Sequence, residues 1–341
     1  MFSVLMVLVD KLRPSVPCLY KVIESVSLID LLVAFAETAK IDSCTKPTFG
    51  DSLALKLSKH PVLNRLHAAT VTPNDVFAEV GANFVLITGP NMSGKSTYLR
   101  QIALTQIMAQ IGCFVPATLA TLRISDRLFA RLDKNDDIEA SLSTFTLEIQ
   151  EMNCILKNLT ANSLVLVDEF GRATSHDEGF GICFAACEEL LLSKAFTFFA
   201  THFVDLTLLS TLYPNVNSIT FDIEQGSRSV VTHRIRPGTV QMQNYGIDLI
   251  ARTRMPREII TEARSVANRM NALRIRQHRS MEQNSDEKVL KLRLSSELLR
   301  IGRRIDLANR TEMLDVEMLE MIRKRLKQLA LDFDKILPNQ H

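Results

Sequence analysis

The chain lacks a dominant charge: across 341 residues, 40 Lys and Arg stand against 38 Asp and Glu, a formal net charge of +2. No global field therefore announces a nucleic-acid partner. The balance is uneven along the chain, since Arg264 to His341 carries 17 basic against 11 acidic residues. A second absence is any C-x-x-C pair among Cys18, Cys44, Cys113, Cys154, Cys183 and Cys187. Scattered cysteines without a secretory leader point to reduced thiols in an intracellular compartment. Cys183 and Cys187, one helical turn apart, suit buried small apolar residues better than a metal pair. Long hydrophobic runs are missing too. The opening "FSVLMVLV" passes at once into "DKLRP" without a small-residue cleavage site, so it reads as the end of a helix, not a membrane span or leader. Internal repeats and low-complexity tracts are absent, which excludes solenoid and disordered classes.

What is present divides into three stretches. Residues 1–47 are helical in pattern, with Leu28, Leu31, Leu32, Phe35 and Ala39 forming one stripe of an amphipathic helix in "SLIDLLVAFAETAK". After "TKPTFG", an α/β region over 48–236 opens with the alternating strand pattern of "DSLALKLSKHPVL". "FVLIT", "SLVLVDE" and "AFTFFATH" are short continuous apolar runs of the kind buried on both faces of a parallel sheet. Residues 237–341 turn helical: Pro256 precedes "REIITEARSVANRM", "HRSMEQNSDEK" reads as a polar linker, and Leu290, Leu294, Leu298, Ile301 and Ile305 form a later stripe.

The strand "FVLIT" runs into Gly89-Pro90-Asn91-Met92-Ser93-Gly94-Lys95-Ser96, and a helical pattern follows from Ser96 and Thr97 onward. Glycines let backbone N–H groups approach phosphate oxygens, and the helix N-terminus adds partial positive charge. Lys95 reaches the β and γ phosphates, and the Ser96 hydroxyl is a Mg²⁺ ligand of the right hardness. Motif, strand and helix agree on a nucleoside triphosphate. Downstream, Asp168 and Glu169 end the run "LVLVDE"; the first is placed to hold Mg²⁺ and the second to orient or deprotonate an attacking water. One strand further, His202 is positioned to sense the γ-phosphate.

"TGPNMSGKSTYLRQIAL", "DDIEASLSTFTLEI", "LVDEFGRATS" and "FFATHF" occur in this order. Together they resemble the ATPase domain of the MutS family of DNA mismatch-recognition proteins. "SVSLIDLLVAFAETA" is similar to the helix leaving the family's lever region, "KHPVLNRL" to its R-H-P-V segment, and "NYGIDLIARTRMPREIITEAR" to its C-terminal dimerisation segment. The resemblance implies an α/β P-loop NTPase of the ABC type, with an N-terminal helical remnant of the lever (1–47) and a C-terminal helical, helix-turn-helix-like dimerisation extension with a basic tail (237–341). It implies ATP and Mg²⁺, and ATPase domains paired so that Ser143 and Thr144 approach the γ-phosphate held by the opposite subunit. Asp168 would bind metal, Glu169 would activate water, His202 would be the switch histidine, and Asn91 would position loop and nucleotide. "PNMS", "QIMAQIGCFVPA" and "KAFTFFATHF" are closest to the family's eukaryotic meiotic branch. That branch implies a nuclear heterodimer with the meiotic paralogue, clamped on recombination intermediates or other double-stranded DNA.

The chain departs from the family pattern at two points. Ala173 replaces the second glycine of G-R-G-T, which would cost about 1 kcal/mol if that position needs positive φ, or shift the loop and slow hydrolysis. Val71 replaces the aromatic that stacks on adenine in many relatives, leaving His233 as the candidate stacker. Complete family members carry mismatch-reading, connector, lever and clamp regions before the ATPase domain; this sequence is expected to begin inside the lever's last helices and to lack the N-terminal Phe-x-Glu wedge of the mismatch readers. Alternatives from the same residues are a mismatch-repair homologue or a non-hydrolysing subunit that uses ATP only to dimerise. A chromosome-maintenance ATPase is disfavoured by the absence of an L-S-G-G-type signature.

Overall fold

The computed structural model describes residues 2–41, 44–67, 71–132, 144–224, 230–239, 245–250, 255–282, and 323, 324 and 327. They fall into two compact units, Met1–Gln243 and Asn244–His341. In chain order the strands are β1 (Thr48–Phe49), β2 (Leu53–Ser58), β3 (Asn74–Ala78), β4 (Phe84–Thr88), β5 (Leu119–Leu122), β6 (Leu128–Arg131), β7 (Leu164–Asp168), β8 (Phe196–Ala200), β9 (Val216–Glu224) and β10 (Val230–Pro237). The helices are α1 (Phe2–Leu12), α2 (Val16–Ile41), α3 (Pro61–His67), α4 (Lys95–Gln110), α5 (Thr144–Asn158), α6 (His176–Leu192), α7 (Leu208–Leu212), α8 (Tyr245–Ile250) and α9 (Arg257–Glu282).

The three apolar runs become neighbouring strands. In the larger sheet the order is β10-β9-β4-β8-β7-β6, with β9, β4, β8, β7 and β6 parallel and β10 antiparallel at the edge. Every residue of β4, β7 and β8 is buried, because helices and the second sheet cover both faces. The pleat sends alternate residues to opposite cores. Val85 and Ile87 join Leu99 and Ile102 of α4 on one side, while Phe84 and Leu86 join Cys187 and Leu190 of α6 on the other. Cys183 also lies in this second core, and burial pushes its thiol up to about 12. The smaller sheet, order β1-β5-β2-β3, was legible in sequence only at β2.

Two helical expectations need correction. The stripe on α2 is only partly covered: Leu28, Leu31 and Leu32 are exposed, as are Ile23, Ile29 and Val33 on other faces, whereas Phe35 and Ala39 near its C-terminal end are half-buried. Apolar residues thus lie on more than one face of the helix, beside Lys21, Glu24, Asp30, Glu37 and Lys40. In the second unit, α9 runs through Glu282 and absorbs the start of the expected polar linker. Ile250, Met255 and Ile259 in this unit are exposed. The stripe beginning at Leu290 lies outside the described residues. No helix among the described residues is long and apolar enough to cross a membrane.

Candidate nucleotide site

The phosphate-loop motif links β4 to α4. Gly94 has φ +112°, a conformation that admits glycine cheaply, and a Cβ there would lie 3.5 Å from both His233 Nδ1 and the Phe221 ring. Lys95 opens the helix with its side chain almost wholly buried. Its ammonium donates to the carbonyls of Gly89 at 3.0 Å and Pro90 at 3.1 Å and stands 3.3 Å from Glu169 Oε1. Glu169 Oε2 accepts a hydrogen bond from Arg172 Nη1 at 2.9 Å. The carboxylate thus lies between two cations.

Sheet register brings the acids to the loop. Asp168 pairs with Ala200 on β8, and Ala200 pairs with Ile87 on β4, so the ends of three adjacent strands lie level. Asp168 is fully buried. Glu169 has left the strand, with φ +47° and its N–H donating to the Ala200 carbonyl at 2.9 Å. This uncommon conformation for a non-glycine residue turns its side chain to the loop. A cavity of about 480 Å³ is lined by Asn91, Met92, Gly94, Lys95, Ser96, Thr97, Glu169 and His233. Ser93 is buried behind it, and Gly89 and Pro90 are half-buried.

His202 follows the end of β8 with its ring centroid 4.2 Å from that of Phe203. It does not line the cavity. Burial holds its imidazole below the ordinary range, against the opposing pull of Glu169. Thr144 begins α5, whereas Ser143 lies outside the described residues. His233 occupies an irregularity in the β9–β10 ladder with φ +56°, and its Nδ1 meets the Ser93 carbonyl at 2.8 Å. Since a carbonyl only accepts, Nδ1 carries the proton. Val71 lines the same cavity.

Ala173 overturns the expected strain. Positive φ in this turn belongs to Glu169 and to Gly171, at +80°, and not to Ala173. Gly171 has no room for a side chain: a Cβ would approach Cys183 Sγ to 2.7 Å and the Gly179 carbonyl to 3.0 Å.

Sequence reasoning missed an ion-pair node beneath the site. Arg131, at the end of β6, donates to the Asp168 carbonyl at 2.6 Å and pairs with Glu148 of α5 at 2.8 Å. Glu148 also accepts the Gly171 N–H at 3.1 Å. The helix that begins at Thr144 is thereby tied to both the acidic strand end and the turn after it. Glu148 was within reach of sequence reasoning, four residues after Thr144 in "STFTLEI"; Arg131 carried no local signal. His60, Asn74, Tyr98, Gln101 and Phe221 also line the cavity without having been singled out.

The donor set is compatible with Mg²⁺. The Ser96 hydroxyl and the Asp168 carboxylate are hard oxygen ligands, and no group of three or more His, Cys, Asp or Glu residues among those described forms a self-sufficient cage. Mg²⁺ characteristically takes one or two protein oxygens and completes its shell with phosphate and water.

A parallel sheet carrying a phosphate loop on one strand, with a carboxylate pair level with it two strands away, defines a P-loop nucleoside-triphosphate-binding domain. The profile of MutS domain V matches residues 85–271. The chain belongs to the MutS family and carries its ATPase domain. MutS protein homolog 4 of Homo sapiens is 40% identical over 280 residues, covering 80% of this chain and 30% of the relative. The Arabidopsis thaliana DNA mismatch repair protein MSH4 is 39% identical over 270 residues, 77% of this chain and 34% of its own length. The DNA mismatch repair protein MutS of Thermotoga maritima is 40% identical over 253 residues, 74% of this chain and 32% of its own length. The chain spans about a third of the curated relatives it matches.

Proposed function

We propose that this chain is the ATP-binding and ATP-hydrolysing engine of a MutS-type DNA clamp that works in meiotic recombination. It would act in the nucleus as a heterodimer with a second MutS-family subunit, DNA being held by regions beyond this sequence. The observation that carries the reading is the convergence of Lys95 and Glu169 in one cavity, 3.3 Å apart.

On this reading Lys95 transfers its hydrogen bonds from the Gly89 and Pro90 carbonyls to oxygens of the β and γ phosphates. Asn91 and the backbone of residues 92–97 orient the triphosphate. Glu169 takes a proton from the attacking water as the water oxygen bonds to γ-phosphorus and the bond to ADP breaks. Mg²⁺, held by Ser96 and Asp168, would neutralise developing charge on the phosphates. His202 responds to the γ-phosphate. Ser143 and Thr144 complete the partner's site, and Arg131 and Glu148 tie the helix bearing Thr144 to this chain's own acids. Ala173 does not take a positive φ, which favours the hydrolysing reading over a subunit that uses ATP only to dimerise.

The test is a mixed dimer of a Ser143→Ala chain with a partner altered at the lysine that corresponds to Lys95. Both lesions fall in one composite site, so the other site should hydrolyse ATP at its undiminished rate in a single turnover. Loss of both sites, or full activity of the isolated monomer, overturns the shared-site reading.

A further inference from the structure

We propose that Asn74 and His233 form a brace that fixes the shape of the phosphate loop, which makes Asn74 a positioning residue for the phosphates from a strand outside the loop. The inference rests on the nucleotide-binding reading above. Asn74 begins β3 in the smaller sheet, yet both polar atoms of its side chain bond to the edge strand of the larger one. Its Nδ2 donates to the His233 carbonyl at 2.8 Å, and its Oδ1 accepts from the Ile235 N–H at 2.9 Å. The two bonds bracket the ladder irregularity between Val231 and Ile235, where His233 has φ +56°. A left-handed backbone at a non-glycine residue persists only when its surroundings over-determine it, and these bonds supply the restraint. Thr72 adds a weaker one, to the Thr232 carbonyl at 3.3 Å.

The imidazole so placed meets the backbone of the loop. Its Nδ1–H donates to the Ser93 carbonyl at 2.8 Å. Gly94 follows at φ +112°, and a Cβ there would lie 3.5 Å from both that nitrogen and the Phe221 ring, so the turn into α4 packs against β9 and β10. The first half of the loop is held differently: the Lys95 ammonium donates to the Gly89 and Pro90 carbonyls. On the nucleotide-binding reading, a triphosphate draws those two bonds to its own oxygens. The Ser93 tether uses no group that the phosphates claim, so it stays in place when the lysine lets go. Backbone N–H groups on either side of Ser93 then meet phosphate from a loop that needs no further ordering, which is the advantage of a pre-organised site. Removing the Asn74 amide releases the bracket, the histidine relaxes, and the loop loses its outside support.

The experiment is calorimetric titration of the full chain with ATP and with inorganic tripolyphosphate, both with Mg²⁺, alongside thermal melts. Asn74→Ala and His233→Ala should each weaken both ligands by about threefold to tenfold, the size of one lost hydrogen bond, and by the same factor for each ligand. His233→Asn should recover most of the loss, because its amide places a donor near the position of Nδ1 and asparagine tolerates left-handed φ; His233→Gln should not. Arg236→Met is the control, since it removes a 2.8 Å pair with Asp222 from the same two strands and Arg236 does not line the cavity. Its affinities should stay within about twofold of wild type. Weakening of ATP alone, with tripolyphosphate unchanged, would assign the pair to the nucleoside and overturn the brace. Unchanged affinities in both alanine variants, or an equal loss in Arg236→Met, overturn it too while leaving the nucleotide reading intact. Wild-type chain that binds neither ligand removes that reading and the brace with it. If Asn74→Ala is unfolded in the melt, the three His233 variants decide, and a His233→Asn chain that binds no better than His233→Gln rejects the inference.

Discussion

Lys95 Nζ and Glu169 Oε1 stand 3.3 Å apart with side chains only 4% and 12% exposed, a buried ion pair linking the phosphate loop to the acidic strand end. Glu169→Gln keeps the shape and removes the base. ATP affinity should stay within about threefold, while single-turnover hydrolysis in the assembled dimer falls by about 10²–10⁴-fold. Lys95→Ala should instead lower ATP affinity by at least about tenfold, since it deletes charge-assisted hydrogen bonds to phosphate. Equal effects of the two variants on binding would contradict the division of labour.

Arg131 and Glu148 form the structural counterpart, with side chains 9% and 12% exposed. Breaking a buried pair by removing one partner costs about 3–5 kcal/mol, because the other charge is left without compensation. Arg131→Met should therefore lower the urea midpoint strongly. The double variant Arg131→Met with Glu148→Leu should be less destabilised than the sum of the singles. Additive losses would mean that the pair carries no coupling.

Gly171 should respond as the G-R-G-T pattern suggests, and Ala173 in the opposite sense. Gly171→Ala meets Cys183 Sγ and the Gly179 carbonyl at +80° φ and should cost about 1–3 kcal/mol. Ala173→Gly relieves nothing and should cost about 0.4–1 kcal/mol through the added freedom of the unfolded chain. A stabilised Ala173→Gly variant would show that the turn is strained after all.

His60 gives the site a pH-dependent foundation. Burial, then the Arg100 charge, hold its imidazole below the ordinary value of 6.5, against an opposing backbone hydrogen bond. Its Nδ1 accepts the Leu63 N–H at 3.3 Å, which protonation would forbid. Below about pH 6.5 the unfolded chain binds the proton more readily than the folded one, so His60 contributes stability at neutral pH that declines as the pH falls through that window. Melting temperatures recorded from pH 7.5 to 5 should fall less steeply in His60→Gln than in the wild type.

How much of this was legible depended on range along the chain. β4, β7 and β8 could be read directly, because a strand buried on both faces must be apolar at every position. The phosphate loop was equally legible, since its glycines, lysine and serine act within eight consecutive residues. The stripe on α2 was legible as a pattern but its burial was not: helical periodicity describes one helix, and which of its residues are covered depends on what packs beside it.

By itself, then, the sequence determined the phosphate cradle, the acids at the end of the β7 run and the family, all local patterns whose chemistry needs few neighbours. Only tertiary structure decided the rest. His233 reaches Ser93 from 140 positions away, and Asn74 holds His233 from 159 away, contacts that exist because β10 pairs with β9 and β9 with β4. Arg131 found Glu148 and Asp168 because β6 pairs with β7. Positive φ fell to Gly171 and not to Ala173 because the turn packs against Cys183 and Gly179 of α6. Strand order and close packing set these relationships, and neither is encoded in any short segment.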